Sequence, residues 1–518
     1  MTHAADPSVL PVPAKAAAKK SASILQVVLI LLVAVAGIGI RLYDLQDPPL
    51  DFHPARQLRS AIIARAVYYR LDTTADAATR QLAQDLAQLE MYEPPILENI
   101  VGFTYYLVHG EYVWIARIYN AIFWLLGGAA IFLLGRRLAS WWAALLGTAW
   151  FFCLPFSVYA SRSFQPEPWM VMWILLCAYA LYVWSDRPGW KWAILAGLSG
   201  GMAILVKVVA GYFIAGMAIG VVLATLGLRS ALRSRQVWSM AALMLLPAAV
   251  LYLVFNPSRS GEFFSFWTVS LSGLIFTTNF YADWLVMMNY LVGLTNVVVA
   301  LVGILLAERR YRWMLVGAWA GYVLYGLMFP YQYTTHEYYH LPLVGLTAMS
   351  LIPALDVVVK KIVEQAALWR LATAGLFVFM AFYSLYVARS VLYVDSYAYE
   401  PASWQRVGEA IPAGRSFVAL TADYGMRLRY YGWRAIAVSW PSAGDLNLSA
   451  LHGDAPMQTE DYFNEVTAGK DYFLVTAFSE LDAQPELKAI LTTRYPLFVD
   501  GDGYAIYDLD HPLAQDGG

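Results

Sequence analysis

The chain has 518 residues and a formal net charge of −2; 59% of its residues are hydrophobic and only 14% are charged. This composition excludes an ordinary soluble protein and is typical of an integral membrane protein, while the lack of a basic excess argues against nucleic acid as a partner. The two cysteines both lie inside apolar runs, which excludes a disulfide framework and a cysteine-ligated metal cluster.

Residues 1–23 are polar and rich in Ala, Lys and Pro, which predicts a disordered cytoplasmic tail. Eleven apolar runs follow, and each is about as long as a helix that crosses a bilayer, for which roughly 20 residues are required. The predicted spans are near residues 24–40, 112–134, 140–159, 167–185, 192–207, 209–228, 237–256, 284–306, 313–329, 339–357 and 367–388.

The distribution of Lys and Arg predicts the topology. With the N-terminus inside, sixteen Lys and Arg residues fall in the inner segments and three fall in the short outer loops, in agreement with the positive-inside rule. An odd number of spans then places the C-terminus outside. We therefore expect a multi-pass protein of the inner or plasma membrane with a cytoplasmic N-terminus.

Two polar parts of the chain are expected outside the membrane. The first outer loop, 41–111, has helical spacing over 54–91, which predicts amphipathic helices on the membrane surface. Residues 389–518 contain short alternating apolar runs with helical stretches between them, which predicts a soluble extracytoplasmic α/β domain. The predicted strands are 416–420, 472–476 and 504–507. The expected fold class is an all-α polytopic membrane domain over 24–388, with juxtamembrane helices in the first outer loop, followed by this C-terminal domain.

A polar string over 51–57 stands just past the first predicted span. It brings an acid, Asp51, close to a cation, Arg56, which is a combination suited to proton transfer and phosphate binding. Arg56 and Arg59 are three residues apart and share a helical face, so their forked donors suit a phosphate. The alternative interpretation is a basic juxtamembrane face that contacts lipid headgroups.

Three further charged residues occur in the first outer loop or at the outer ends of predicted spans. Glu93 precedes a double proline, and Glu167 begins the fourth span, with Arg162 as a candidate structural partner. Lys207 is the only charged residue between 192 and 228. A charge at such depth is costly unless it is used or paired, so Lys207 either snorkels to the interface or contacts a phosphate.

Residues 336–340 match the zinc-hydrolase pattern H-E-x-x-H. On a helix the two histidines would share a face and the glutamate could activate a metal-bound water. An intramembrane metalloprotease is therefore an alternative from another enzyme class. Against it, Pro342 follows the second histidine closely, and the nearest candidate for a third ligand, Asp356, is distant along the same span.

The ordered set of motifs resembles the glycosyltransferase C superfamily, and especially bacterial protein-O-mannosyltransferase-like and lipid A aminoarabinose-transferase-like enzymes. The resemblance covers most of residues 24–390. Its motifs are Asp51, Glu93-Pro94-Pro95, Gly135-Arg136-Arg137-Leu138, Ser161-Arg162, Lys207 and the run from His336 to Pro342. The resemblance implies transfer of a sugar from a polyprenyl-phosphate donor to an acceptor lipid, glycan or protein at the outer membrane face.

The resemblance also implies residue roles. Asp51 becomes the catalytic base of a single-displacement, inverting transfer. Family members often have a second acid directly after this position, but Phe52 stands there, so Glu167 is the candidate for that acid. The predicted contacts to the donor phosphate and lipid are Arg56, Arg59, Arg162 and Lys207, and the predicted substrate contacts are His53, Gln57, Glu93, His336, Glu337 and Tyr338. No cofactor is predicted, a divalent metal near Asp51 stays open, and membrane lipids are the remaining expected partners.

Two other functions stay open beside the transferase. A transporter or flippase of a lipid-linked saccharide could use the same charged residues to line a path, although such proteins usually have repeat symmetry and broken helices. A polymerase or ligase of surface polysaccharide would use the same lipid carrier.

Overall fold

The computed structural model describes residues 23–89, 93–255, 257–394 and 396–514, without the side chains of 257–260. The predicted N-terminal tail therefore lies outside the described residues, apart from Ser23, which caps the first helix. The helices up to the end of the membrane domain are α1 (Ile24–Arg41), α2 (Pro54–Leu71), α3 (Ala77–Leu86), α4 (Ile96–Leu107), α5 (Trp114–Leu138), α6 (Trp141–Cys153), α7 (Pro155–Arg162), α8 (Glu167–Asp186), α9 (Trp190–Val206), α10 (Ala210–Arg233), α11 (Arg235–Ala249), α12 (Pro257–Phe264), α13 (Thr278–Val292), α14 (Leu294–Leu306), α15 (Arg309–Met328), α16 (Pro330–Thr335), α17 (Leu341–Val363) and α18 (Ala367–Val394). A wider helical turn over Val250–Phe255 continues α11, further irregular helical turns fill Ser265–Val269 and Ser272–Phe276, and a tight turn over Glu337–His340 leads into α17.

All eleven predicted spans coincide with helices. Among the described residues, seven helical segments are by themselves long and apolar enough to cross a membrane, and up to nine if each of two bent pairs counts as one span. The bent pairs are α6 with α7, at 61°, and α13 with α14, at 89°; the sequence did not predict these breaks. The other two predicted spans correspond to α9, which has 17 residues, and to α15, whose first turn is rich in arginine. The all-α membrane domain is thus confirmed, whereas the count of eleven crossings stays a prediction.

The helices of the first outer loop differ from the prediction in their burial. We expected amphipathic helices on the membrane surface, but most residues of α2 between 57 and 67 are buried. Helix α2 packs against α4, where a Cβ atom at Gly102 would lie 2.5 Å from the carbonyl oxygen of Ala64. The two backbones are therefore in direct contact, and α2 is a core element that positions the residues at its N-terminus.

The C-terminal part is a small α/β domain, as predicted. Its helices are α19 (Glu400–Ala410), α20 (Met426–Tyr431), α21 (Ala443–His452), α22 (Thr459–Thr467), α23 (Phe478–Asp482) and α24 (Pro485–Arg494), and its strands are β1 (Phe417–Leu420), β2 (Val438–Ser439), β3 (Tyr472–Val475), β4 (Leu497–Gly501) and β5 (Tyr504–Asp508). The strand order is β2-β1-β3-β5-β4, with β2, β1 and β3 parallel and β5 antiparallel to both β3 and β4. The three predicted strands are β1, β3 and β5; β2 and β4 were not predicted.

The C-terminal domain docks on the first outer loop through Arg65 of α2. The Arg65 guanidinium lies 3.9 Å from the ring centre of Tyr430 and 4.2 Å from that of Trp433, and its Nε donates to both carboxylate oxygens of Glu111 at 3.0 Å. Cation–π contacts and a charge-assisted hydrogen bond that both carboxylate oxygens share make a specific contact in a mostly buried setting. The loop and the domain therefore lie on the same side of any membrane that the chain spans.

The first outer loop and the C-terminal domain are predicted to lie on the outer side of the membrane, and cysteine labelling can test this. We expect Thr73→Cys and Ala450→Cys, both at exposed positions, to react with a membrane-impermeant maleimide on intact cells. The native Cys153 and Cys177 are buried and should not react with the maleimide. As the matched control, Gln365→Cys, in the turn between α17 and α18, should react only after lysis. Protection of both outer sites in intact cells would reverse the predicted topology.

Candidate active site

Asp51 lies in the turn between α1 and α2 and is held by three side chains. Its carboxylate accepts from Gln57 Nε2 at 3.1 Å and from Arg117 Nη2 at 3.3 Å, and Arg162 Nε lies 3.8 Å away. The side chain is 12% exposed. Burial raises the pKa of the Asp51 carboxyl, but Arg117 and Arg162 outweigh this effect and hold the pKa below its ordinary value. Asp51 is therefore an ionised, firmly oriented carboxylate at neutral pH.

The two arginines hold the backbone of this turn as well as the carboxylate. Both guanidiniums are almost fully buried. Their backbone acceptors are the carbonyl oxygens of Tyr43, Asp44, Leu45, Asp47 and Pro48. Arg162, which the sequence suggested as a donor contact or as the partner of Glu167, pairs with Asp51 instead. Arg117 is not among the predicted site residues, although an arginine inside an apolar run is costly unless paired and is a usable signal.

Gln57, a predicted substrate contact, is fully buried. Its amide nitrogen donates to the carbonyl oxygen of Phe52 at 2.8 Å as well as to Asp51, and its amide oxygen accepts from the backbone N–H of Phe164 at 2.9 Å. These bonds join the Asp51 turn to the segment between α7 and α8. Gln57 therefore acts on the site by positioning Asp51.

A second cluster brings together three cations and two carboxylates from α2, α8, the end of α9 and the segment before α4. Lys207 Nζ contacts Glu167 Oε1 very closely and lies 3.7 Å from Glu93 Oε1. Arg56 Nη2 is 3.2 Å from Glu93 Oε1 and 3.7 Å from Glu167 Oε1, and Arg59 Nη1 is 4.0 Å from Glu93 Oε2. Burial raises the pKa of Glu93, but Arg56, Lys207 and Arg59 overcome this and lower it to about 2. The cluster therefore carries an excess of positive charge, which suits an anionic ligand.

Aromatic rings from the segment before α17 cover the cations of this cluster. The ring centre of Tyr338 is 5.0 Å from Lys207 Nζ and 5.5 Å from Arg56 Cζ, and that of Tyr339 is 4.8 Å from Lys207 Nζ. The His53 ring packs edge-on against the Tyr338 ring, with 4.7 Å between the two ring centres. Tyr338 is thus the shared neighbour of the cation cluster and of His53.

His53 forms a close pair with Glu337. Its Nε2 lies 2.8 Å from Glu337 Oε2, and its ring stacks on that of His336 at 5.8 Å between centres and 14° between planes. Burial and the neighbouring His53 lower the pKa of His336 to about 4, so His336 is neutral at physiological pH. The predicted residues His53, His336, Glu337 and Tyr338 are therefore brought together.

The H-E-x-x-H pattern does not form a zinc site of the helical kind. Glu337–His340 is one tight turn rather than part of a long helix, and His340 is buried with Nδ1 2.8 Å from the Tyr322 hydroxyl and Nε2 2.9 Å from the Tyr333 carbonyl oxygen. Asp356 instead accepts from the backbone N–H of Ser140, at the start of α6. In the part of the chain that the structure describes, no group of three or more His, Cys, Asp and Glu side chains is arranged to hold a metal ion. These contacts argue against the metalloprotease.

An apolar groove of about 1030 Å³ is lined in part by the residues that directly follow Lys207 of the cation cluster. Val208 and Val209, which follow Lys207 directly, line it near this cluster, and Arg309, at the opposite end of α15 from Phe329, also lines it. The groove follows α10 and α15, whose backbones touch: a Cβ atom at Gly216 would lie 2.0 Å from the carbonyl oxygen of Gly317. Small residues therefore allow close helix packing and leave a long apolar channel alongside.

Comparisons with known proteins agree with this architecture. Residues 92–255 match the model of a family described as dolichyl-phosphate-mannose-protein mannosyltransferase. The crystal structure of ArnT from Cupriavidus metallidurans bound to undecaprenyl phosphate is 16% identical, with 94% of this chain and 98% of that chain covered and a TM-score of 0.56. The Archaeoglobus fulgidus oligosaccharyltransferase tethered with an acceptor peptide is 14% identical, with 95% and 75% covered and a TM-score of 0.60. A search of the curated proteins gave no match.

These likenesses confirm the predicted resemblance at the level of the fold, which is that of the glycosyltransferase C superfamily.

Proposed function

With this fold as the premise, we propose that the chain is a membrane glycosyltransferase that moves a sugar from a polyprenyl-phosphate-linked donor to an acceptor lipid, glycan or protein. The observation that carries the proposal is the position of the cation cluster beside the apolar groove. A phosphate attached to a long apolar chain has the matching chemistry. The match to a mannosyltransferase family and the likeness to a structure with bound undecaprenyl phosphate support the same class of enzyme and donor.

The cations have a direct role in this reaction. As the bond between the sugar and the phosphate breaks, negative charge grows on the departing phosphate. Arg56 and Lys207, held in place by Glu93 and Glu167, are fixed positive groups in a mostly buried setting, where such groups stabilise developing charge strongly. Glu167, the predicted second acid, is 2% exposed and pairs with Lys207, so we assign it to positioning Lys207.

Asp51 is the catalytic carboxylate of the proposal, with a role that differs from the predicted one. A lowered pKa makes Asp51 a weak proton acceptor, since a general base works best when its pKa is near the operating pH. A fixed negative charge instead stabilises the positive charge that develops on the sugar. One carboxylate opposite a departing phosphate fits a single displacement that inverts the anomeric centre, by analogy with inverting glycosidases.

The cellular setting follows from the charge distribution. The excess of Lys and Arg in the predicted inner segments supports a cytoplasmic N-terminus and an active site at the outer face of the inner or plasma membrane. An acceptor on the cell surface or in the envelope would be accessible there.

The proposal is tested with purified, reconstituted protein and a panel of polyprenyl-phosphate hexoses and pentoses. We expect loss of sugar from one donor, with release of polyprenyl phosphate, when a total membrane extract supplies the acceptor. A flippase would move the donor across the bilayer without cleaving it. If no donor is cleaved, the transferase assignment is wrong.

A groove variant makes the test specific for the lipid chain. Ala320 lines the groove beside α10, so Ala320→Trp should raise the KM for long-chain donors much more than for short-chain analogues. Ala374→Trp is the matched control, because Ala374 lines a separate apolar groove beside α18. An equal effect of Ala320→Trp on both donor lengths would place the polyprenyl chain elsewhere.

A further inference from the structure

Transfer of the sugar requires a group that takes the proton of the acceptor hydroxyl. Asp51 is poorly suited to this role because the positive charges of two buried arginines stabilise its ionised form. His53 stands two residues further along the same turn. Its Nε2 lies 2.8 Å from Glu337 Oε2. Because an ionised carboxylate can only accept a hydrogen bond, Nε2 is the donor, and in the neutral form of the ring the lone pair is on Nδ1. Among the described residues, Nδ1 has no hydrogen-bond partner, and the side chain is 22% exposed.

The backbone of His53 is an independent observation. Its φ of 48° lies in the left-handed region, which is sparsely populated by residues other than glycine. The next residue is Pro54, which disfavours helical conformations and favours an extended backbone in the residue before it. Glycine would adopt this conformation with little strain, whereas histidine does so only under constraint. Such strain occurs preferentially at functional sites, and at His53 it accompanies the contact with Glu337, which the exposed His109, also with positive φ, does not make.

The position of His53 relative to the cations fits the reaction geometry. His53, Lys207 and Arg56 surround one ring, that of Tyr338, at 4.7, 5.0 and 5.5 Å. In the proposed complex, a sugar whose phosphate is bound by Arg56 and Lys207 extends past Tyr338 toward His53. The parallel stack with His336 fixes the plane of the His53 ring.

We propose that His53, oriented by Glu337, is the general base of the transfer. The inference rests on the proposed function and assigns its proton-transfer step. The acceptor oxygen forms a bond to the anomeric carbon while the bond from that carbon to the phosphate oxygen breaks, and its electron pair leaves with the phosphate. The acceptor proton moves to His53 Nδ1. Glu337 stabilises the resulting imidazolium, which then releases the proton to water.

The test uses His53→Gly in the full-length protein. Glycine accepts the left-handed backbone, so the unfolding temperature should not fall. We expect kcat for sugar transfer to fall about 10²- to 10⁴-fold, the usual contribution of a general base, with the donor KM nearly unchanged. Added imidazole should restore part of kcat, because it can enter the space left by the side chain and take the proton.

Two further variants sharpen the result. His109→Gly is the matched control: His109 is also a histidine with positive φ, at 54°, in the same outer loop, but it is exposed and outside the site. Its kcat should match that of the wild type and should not respond to imidazole. Glu337→Gln should lower kcat without raising the donor KM, since it removes the charge that stabilises the imidazolium.

The outcomes separate this inference from the function on which it rests. If the wild type cleaves no polyprenyl-phosphate sugar, both are wrong. If the wild type is active and His53→Gly keeps kcat within a few-fold, the transferase stands and the assignment of the base is wrong. A loss in His53→Gly that appears as a raised KM and that imidazole does not restore would make His53 a binding residue and would also overturn the assignment.

Discussion

Replacing Lys207 by Met is expected to lower kcat for sugar transfer by about 10²- to 10³-fold, the usual cost of removing one fixed group that stabilises developing charge. Lys207 is buried, contacts Glu167 closely and lies beside the start of the apolar groove. No other ammonium group among the described residues has this position. Transfer from the donor panel measures the effect. Lys191→Met, at the exposed start of α9, is the matched control and should keep full activity.

The same substitution should also lower stability, because it leaves Glu167 buried without its closest counter-ion. Breaking a buried ion pair typically costs about 3–5 kcal/mol, although Arg56 at 3.7 Å remains as a second partner. The double variant Lys207→Met/Glu167→Gln removes both charges, so we expect its unfolding temperature in detergent to recover while transfer does not. Recovery of transfer in the double variant would show that Lys207 serves only to neutralise Glu167.

The position of the spans could be predicted from sequence because long apolar runs have few alternatives to a membrane helix. Their bends could not. The break between α6 and α7 occurs at Pro155, and the break between α13 and α14 at Gly293, whose φ is 79°. Either residue could also lie in a continuous helix, since neighbouring helices can compensate for such residues. Packing against the neighbouring helices decides whether the helix bends at such a residue.

The residues of the site could be named from sequence, but their partners could not. Arg162 precedes Glu167 by one short segment, so a pair between them was the simplest expectation. In the structure α7 ends at Arg162 and points it at Asp51, while the following turn directs Glu167 toward Lys207. Which side chains meet is set by the directions of helix ends, and sequence spacing does not contain that information.

The burial of α2 could not be predicted from the sequence pattern either. The helical spacing of its apolar residues among Arg and Gln indicated a surface helix, yet Arg65 contacts the C-terminal domain. Arg117 was missed for the opposite reason, since it lies within a run that is otherwise apolar. In both cases the partners of the arginine are distant in sequence. The sequence alone therefore does not distinguish such an arginine from one that faces solvent.

Replacing Asp51 by Asn is expected to lower kcat by about 10²- to 10³-fold with little change in the donor KM. Asn keeps the shape and accepts the bond from Gln57 but lacks the charge that opposes positive charge on the sugar. Arg117 and Arg162 would also lose their shared counter-ion, so the unfolding temperature should fall. Rates at saturating donor and thermal unfolding in detergent measure the two effects.

Asp47→Asn is the matched control for this substitution. Asp47 lies in the same turn, and its side chain accepts from the backbone N–H of Tyr397 at 2.9 Å, a bond that Asn can keep. We expect transfer within a few-fold of the wild type. Imidazole should not restore activity to Asp51→Asn, because in the proposed mechanism this residue supplies charge and His53 takes the proton. Full activity of Asp51→Asn would remove the carboxylate from the mechanism and leave the reaction to the cation cluster and the His53–Glu337 pair.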